Sequence, residues 1–540
     1  MKPLLALLGI LAVVAIACSP KGGGTNSPRS LPAQFIVTNH EPRQPFNVRT
    51  FGAVGDGKTM DRAALQAAID AANKDGGGVV LLPPGVYLTG SLRLKSRVTL
   101  HLASGATLLG STSSSDYSKL GWAPALLQAE GEENLTITGG GTIDGQGRAL
   151  AQDVMRLLQT GQIRNGSGRT DRPDEGYRPM LIAFQNCRRV TLTGIKLKDS
   201  ACWVQNFTDC EDLVLDHLRV DSTAFWNNDG FDISDCRRVK VLNCDVNSAD
   251  DGICLKSEEG GSGCLDVEIS DCRIRSSASA IKFGTASHGG FKNIRVKNLD
   301  IRDTFRSAIA LEIVDGGVME NIVVENVRAT NTGNAIFMRL GHRNQATPVG
   351  AFRNVVIRNV KVEVPAGKPD AGYEIEGPPR KEPHNIMPSS IVGLPGHSIS
   401  NVLLENIEIL YPGGADSHRA EVPLTALATV PECAGNYPEF SMFGELPAWG
   451  FYVRHAEGIR FKNVRISLKQ KDFRPAMVFE DVQQIKLDQV DIQSAGQKSV
   501  IAFQGDTGTT INGTRAPASA ESQIPASDGG TVKLVRPNGR

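Results

Sequence analysis

Two short segments hold carboxylates at spacings that suit bond-breaking chemistry. Asn227-Asn228-Asp229-Gly230-Phe231-Asp232 and Ala249-Asp250-Asp251-Gly252-Ile253-Cys254-Leu255-Lys256-Ser257 align so that Asp229 matches Asp251 and Asn228 matches Asp250. On neighbouring rungs of a parallel ladder such positions lie about 4.8 Å apart, which gathers Asp229, Asp250 and Asp251 under one sugar ring. Like charges packed this closely raise one another's pKa, so one carboxyl stays protonated. A protonated acid beside an ionised one is what glycoside hydrolysis needs, one to protonate the leaving oxygen and one to activate water. Turn aspartates that cap backbone amides have the same composition, and carboxylate oxygens also suit Ca²⁺. Two paired motifs favour catalysis over either, with no metal or cofactor expected.

The elements that must position these acids are written as a repeat. RRVTLTGIKL, EDLVLDHLRV, RRVKVLNCDV, LDVEISDCRI and KNIRVKNLDI share a polar pair, an alternating apolar stretch, then Asn, Asp or Gly before a second alternation. The anchors are Val190, Leu213, Val239, Val267, Ile294, Ile322, Val355, Val402, Ile459 and Ile485. They recur roughly every 26 residues through Ile322, with wider gaps before Val355, Val402 and Ile459. Period-two alternation means strands, and units this short bury their apolar faces only by stacking. The prediction is all-β: a single-stranded right-handed parallel β-helix over 46–510, with a poorly structured tail at 511–540. Leucine-rich repeats need a stricter leucine consensus and propeller blades a longer unit.

A coil needs its first rung covered. Asp61 to Lys74 reads as an amphipathic helix with Leu65, Ala68, Ile69 and Ala72 on one side, followed by Gly76-Gly77-Gly78 and a strand from Val79 to Leu82. This forms an N-terminal helical cap. Insertions at 147–178, 366–398 and 411–450 break the rhythm and are expected to wall a binding groove. Cys187, Cys210, Cys236, Cys244 and Cys272 fall at equivalent repeat positions and read as inward stacks of small apolar side chains. Cys254 and Cys264 flank a glycine-rich loop, where a disulfide is left open.

Residues 1–17 read as a signal peptide, with Lys2 ahead of an apolar run from Leu4 that is short for a membrane span. The run ends Ala15-Ile16-Ala17-Cys18, similar to a lipobox, so Cys18 is the expected lipidation site, with 18–45 a flexible tether rich in Pro, Gly and Ser. The expectation is an exported outer-membrane or periplasmic lipoprotein, monomeric, held to the membrane by lipid alone. With 58 basic against 58 acidic residues, no net field draws the chain toward nucleic acid.

FGAVGDGKTMDRAALQAAIDAA, GGGVVLLPPGVYLTGSLRLKSRVTLHLASGATLLGS and the two carboxylate motifs together resemble the polygalacturonases, glycoside hydrolase family 28, over roughly residues 46–500. The resemblance implies a pectin-degrading β-helix in which Asp250 is the general acid, Asp229 and Asp251 share the water, and Asp232 contacts substrate. It also carries departures. The family's Gly-His-Gly falls at Ala278–Ser279, without the histidine, and its Arg-Ile-Lys falls at Ala310-Leu311-Glu312. Counting along the rungs brings Lys282 into the column of Asp232 and Cys254, which makes it a candidate carboxylate binder, with a plain surface lysine or a salt bridge to Asp232 as the alternatives. Asn228 and Arg339 are further substrate-binding candidates. His342 and Arg343 extend a basic cluster with Arg339, and Trp203 and Trp226 are placed either to stack on a sugar or to fill the core.

The expected activity is inverting hydrolysis of an α-linked, uronate-containing polysaccharide or oligosaccharide. The rivals are a polysaccharide lyase on the same coil, using Lys282 as base, and a glycan-binding surface lipoprotein without turnover.

Overall fold

The anchors stack as the repeat requires. In a computed structural model that describes residues 44–367, 369, 373, 384–495, 500–513, 522–525 and 531–535, Val190 lies opposite Leu213 and Leu213 opposite Val239. The same parallel column runs on through Val267, Ile294, Ile322, Val355, Val402 and Ile459. Arg460 pairs with Lys486, so Ile485 keeps step as well. The wider gaps cost no register, because the extra residues leave the coil as loops and return at the next rung.

Three parallel ladders make a right-handed coil. One holds the anchors. A second carries Leu197, Val220, Val246, Ile274 and Ile301 inward. The third carries Phe184, Phe207, Ile233, Leu255, Phe283, Leu311 and Met338 inward and the acidic motifs outward. These inward side chains are buried and join one core running the length of the coil, from Val48 to Val535. Transfer data put each fully buried Val, Leu, Ile or Phe at roughly 1.5–3 kcal/mol, so the alternation supplies the driving force.

Between the first two ladders the chain turns at a residue in the left-handed region, at the repeat's Asn or Asp. Asn298, Asn326, Asn359, Asn406 and Asn463 have φ of 56°, 57°, 55°, 54° and 52°. Each of the last four donates its side-chain amide to the preceding asparagine's Oδ1, at 2.8–2.9 Å. Asparagine tolerates that backbone and ties successive turns together. The five cysteines stack inward as predicted, buried and free.

The cap is helix α1, Arg62–Lys74, which buries Leu65, Ala68, Ile69 and Ala72. Asp61, just ahead of it, accepts from the amides of Val54 and Gly55 at 2.7 and 2.9 Å and so fastens the preceding turn. Helix α2, Gly147–Gln159, opens the first insertion. The far end corrects the expectation of a poorly structured tail. Ser522–Pro525 and Thr531–Val535 pair antiparallel, and the second strand pairs antiparallel with Ile501–Gln504, with Val532 fully buried. The last rung would otherwise leave an open edge, and this hairpin covers it. Residues 1–43, including Cys18, lie outside the described residues, and no described helix is long and apolar enough to cross a membrane.

Candidate active site

The two acidic motifs sit at turns leading into adjacent strands of the third ladder. Phe231 pairs with Ile253, Asp232 with Cys254, and Cys254 with Lys282. Lys282 therefore occupies the column that counting along the rungs gives it. Glycine follows Asp229 and Asp251 because the turns touch: a Cβ on Gly230 would meet Gly252 O at 2.5 Å, and one on Gly252 would meet Ala280 O at 2.7 Å. Gly230 N–H donates to Asp251 O at 2.9 Å, and Gly252 N–H to Ser279 O at 2.8 Å.

The turns bring Asp229, Asp250 and Asp251 together, with one carboxylate oxygen of each within 4.8 Å of the others. Asp229 and Asp251 are 4% and 2% exposed, so their charges have little solvent to face. The three carboxyls are driven in different directions. Burial, reinforced by Asp232, pushes Asp229 well above the usual carboxylate range, against the pull of Lys256. Burial and the neighbouring Asp251 charge raise Asp250. Asp251 is lowered despite burial, because Lys282 and Arg306 stabilise its ionised form. Its Oδ1 accepts from Ser279 N–H at 3.0 Å, and its Oδ2 is 3.0 Å from Lys282 Nζ. Asp251 N–H donates to Asp250 Oδ1 at 3.0 Å.

Lys256, which does not stand out in sequence as a site residue, is central. Its ammonium lies 2.5 Å from Asp232 Oδ1 and 3.4 Å from Asp229 Oδ2, above the Trp203 ring at 3.4 Å. Asp232 is wholly buried, and burial raises its pKa to about 7 against the pull of Lys256. The alternation held the clue, since Lys256 and Cys254 must face the same side as Asp232. Tyr437 and Glu439 carried no such signal. They come from the 411–450 insertion: Lys282 Nζ donates to Tyr437 Oη at 2.9 Å, and Arg306 Nε lies 2.8 Å from Glu439 Oε2. Glu312 lies alongside, buried, with Oε2 unpartnered and its pKa raised to about 8, burial outweighing the pull of Lys282.

Two substrate-binding assignments need correction. Asn228 is fully buried and fully engaged. Its Oδ1 accepts from Ser222 Oγ and the amides of Ala224 and Phe225, while Nδ2 donates to Ser200 O and Cys202 O. It shapes the turn that presents Asp229 and has no group left for a sugar. Arg339 is also fully buried, donating to Gly393 O at 3.0 Å and Glu432 O at 2.6 Å against the Phe443 ring. It fastens the insertion that delivers Tyr437. Arg343 is paired with Asp315, and His342 Nε2 lies 2.8 Å from Thr347 O, so that basic cluster holds loops. Trp203 and Trp226 are half-buried and both stack on cations, Lys256 and Arg172. Cys254 and Cys264 are free, their thiols donating to Gly284 O at 3.1 Å and Ile233 O at 3.3 Å, so no disulfide forms there.

A parallel β-helix with converging carboxylates on one outward face, walled by insertions, defines a class of carbohydrate-active enzyme. Known proteins narrow the class. The profile of glycosyl hydrolases family 28 matches residues 78–376. An exo-poly-alpha-D-galacturonosidase of Dickeya chrysanthemi is 23% identical over 434 residues, covering 67% of this chain and 71% of its own. A probable polygalacturonase of Vitis vinifera is 26% identical over 350 residues, covering 59% and 68%. The solved family 28 exopolygalacturonase of Yersinia enterocolitica shares the fold, with TM-score 0.52 and 20% identity over 87% of this chain and 79% of that one. This chain belongs to glycosyl hydrolases family 28, and it is a glycoside hydrolase.

Proposed function

We propose that the protein hydrolyses an α-linked, uronate-containing glycan with inversion at the anomeric carbon. The observation that carries this reading is the convergence of Asp229, Asp250 and Asp251, with one carboxylate oxygen of each within 4.8 Å of the others; burial and Asp251 push Asp250 up, while Lys282 and Arg306 hold Asp251 down despite burial. Asp250 gives its proton to the glycosidic oxygen as that C–O bond breaks. A water held by Asp251 and Asp229 adds to the anomeric carbon, and its proton passes to Asp251. Names of relatives such as exo-poly-alpha-D-galacturonosidase support a uronate substrate.

One observation favours a rival stereochemistry. Inverting glycosidases commonly separate their carboxyls by about 6.5–9.5 Å and retaining ones by about 5–5.5 Å, whereas oxygens here approach within 4.8 Å. A lyase reading is disfavoured because Lys282, the available base, is held protonated well above its ordinary range by Asp251 despite its burial. The test is digestion of a panel of pectic and other acidic glycans, with NMR of the anomer first formed. Inversion supports the reading, retention overturns the mechanism, and an ultraviolet-absorbing unsaturated product overturns hydrolysis. Asp250→Asn is expected to lower kcat by roughly 10²–10⁴-fold, the usual contribution of a general acid, while glycan binding persists. Unchanged kcat removes Asp250 from that role.

A further inference from the structure

A uronate substrate needs a cation to meet its carboxylate, and the cations inside the cluster are already committed. Lys256 faces Asp229 and Asp232, Lys282 faces Asp251, and Arg306 faces Glu439. Drawing Lys256 or Lys282 to a substrate would strand a buried carboxylate, an expensive exchange, and drawing Arg306 away would unpair half-buried Glu439. The position where the family resemblance calls for Arg-Ile-Lys holds Ala310-Leu311-Glu312, with Glu312 buried.

On the other side of the acids, the 147–178 insertion contributes a guanidinium in a different state. Arg172 is half-buried and lies over the Trp226 ring at 5.2 Å. Among the described residues no carboxylate stands within ion-pair distance of it. Its support is rigid: buried Arg178 donates to Trp226 O at 2.5 Å and to Asn227 Oδ1 at 2.7 Å, which fixes the turn running directly into Asp229. Burial and the nearby Arg169 and Arg178 lower its pKa, against the pull of Glu175 and Asp250, and a guanidinium keeps its charge in proteins. A planar guanidinium stacked on an aromatic face, with no direct ion pair among the described residues, is pre-organised for bidentate contact with a carboxylate.

We infer that Arg172 is a specificity-determining residue that binds the carboxylate of a uronate unit next to the bond that Asp250 protonates, held in place by the Trp226 face. The inference rests on the hydrolase reading above and adds the group that recognises the acid. It also gives the substrate site a polarity, with acid recognition on the Arg172 side and, among the described residues, Lys282 and Arg306 already paired on the other.

The test measures binding and turnover separately. Trigalacturonate and its carboxyl-reduced counterpart are titrated calorimetrically into full chains carrying Asp250→Asn alone or together with Arg172→Met. The single variant is expected to bind the acid form at least tenfold tighter than the reduced form. Adding Arg172→Met is expected to erase that preference while leaving affinity for the reduced form unchanged. Arg172→Lys, which keeps the charge and loses the planar fork, is expected to retain part of it. A preference that survives Arg172→Met, absence of any preference in the single variant, or failure to bind either sugar overturns the inference. Weaker binding of both sugars by Arg172→Met assigns the residue to folding of the loop and overturns it too. Acid-selective binding without turnover of any glycan by the wild-type chain would instead sink the hydrolase reading and leave the role of Arg172 standing.

Discussion

Glu312 illustrates how a single buried residue makes stability depend on pH. Its folded pKa is about 8, above its ordinary value of 4.5, so the folded state holds a proton that the unfolded chain has released. The associated stability is therefore present in full below about 4.5 and lost as pH rises through 8. Asp232, raised to about 7, acts in the same sense over a narrower window. Replacing Glu312 with Gln keeps the shape and removes the titration. Glu312→Gln is expected to match the wild type near pH 4.5 and to exceed it at pH 8 by more than 1 kcal/mol, one pKa unit being worth about 1.4 kcal/mol. Urea midpoints across that range check it, and parallel pH curves for the two proteins would refute it. The acids themselves were legible in the sequence, because motif alignment and rung counting are local arithmetic. Their protonation was not, because it depends on which cations the fold places beside them.

At the scale of elements, the asparagine turns join ladder to ladder. Asn359 donates to Asn326 and accepts from Asn406, each at 2.9 Å, with φ of 55°. Asn359→Ala loses both contacts and leaves a Cβ in a left-handed backbone without the polar side chain that eases it, a strain of roughly 1–2 kcal/mol. Asn359→Gly loses the same contacts without that strain. The expected order of denaturation midpoints is wild type, then glycine, then alanine. Alanine equal to glycine would show that backbone strain contributes nothing. The repeat announced these positions as a recurring Asn or Asp. The hydrogen-bonded column along the coil emerges only once the rungs are in register.

For the whole molecule, coil and insertions divide the labour. The coil fixes Asp229, Asp250 and Asp251 on one face, and the insertions bring chemistry to it: Arg172 and Arg178 from one, Tyr437 and Glu439 from another. The second of these is strapped down through main-chain carbonyls. Arg339 binds Glu432 O and Arg454 binds Val430 O at 2.7 Å, while His455 Nε2 lies 3.1 Å from Glu432 Oε1. We propose that the entire body is exported and tethered through a lipid on Cys18. Labelling with a radioactive fatty acid is expected to mark the wild-type chain and not Cys18→Ser, with the variant shifted from the membrane to the soluble fraction. Label retained by the variant would dismiss the anchor.

The sequence by itself determined the coil, its cap, the inward cysteine stacks and the column shared by Asp232, Cys254 and Lys282. All of these follow from periodicity, since a parallel ladder converts equal spacing into adjacency. Tertiary structure decided what each polar group faces. It turned Asn228 and Arg339 into fasteners, gave Lys282 to Asp251, set Lys256 between Asp229 and Asp232, and closed the last rung with a hairpin. Those outcomes depend on irregular loops and on burial, and neither burial nor the path of an insertion is written in a repeat.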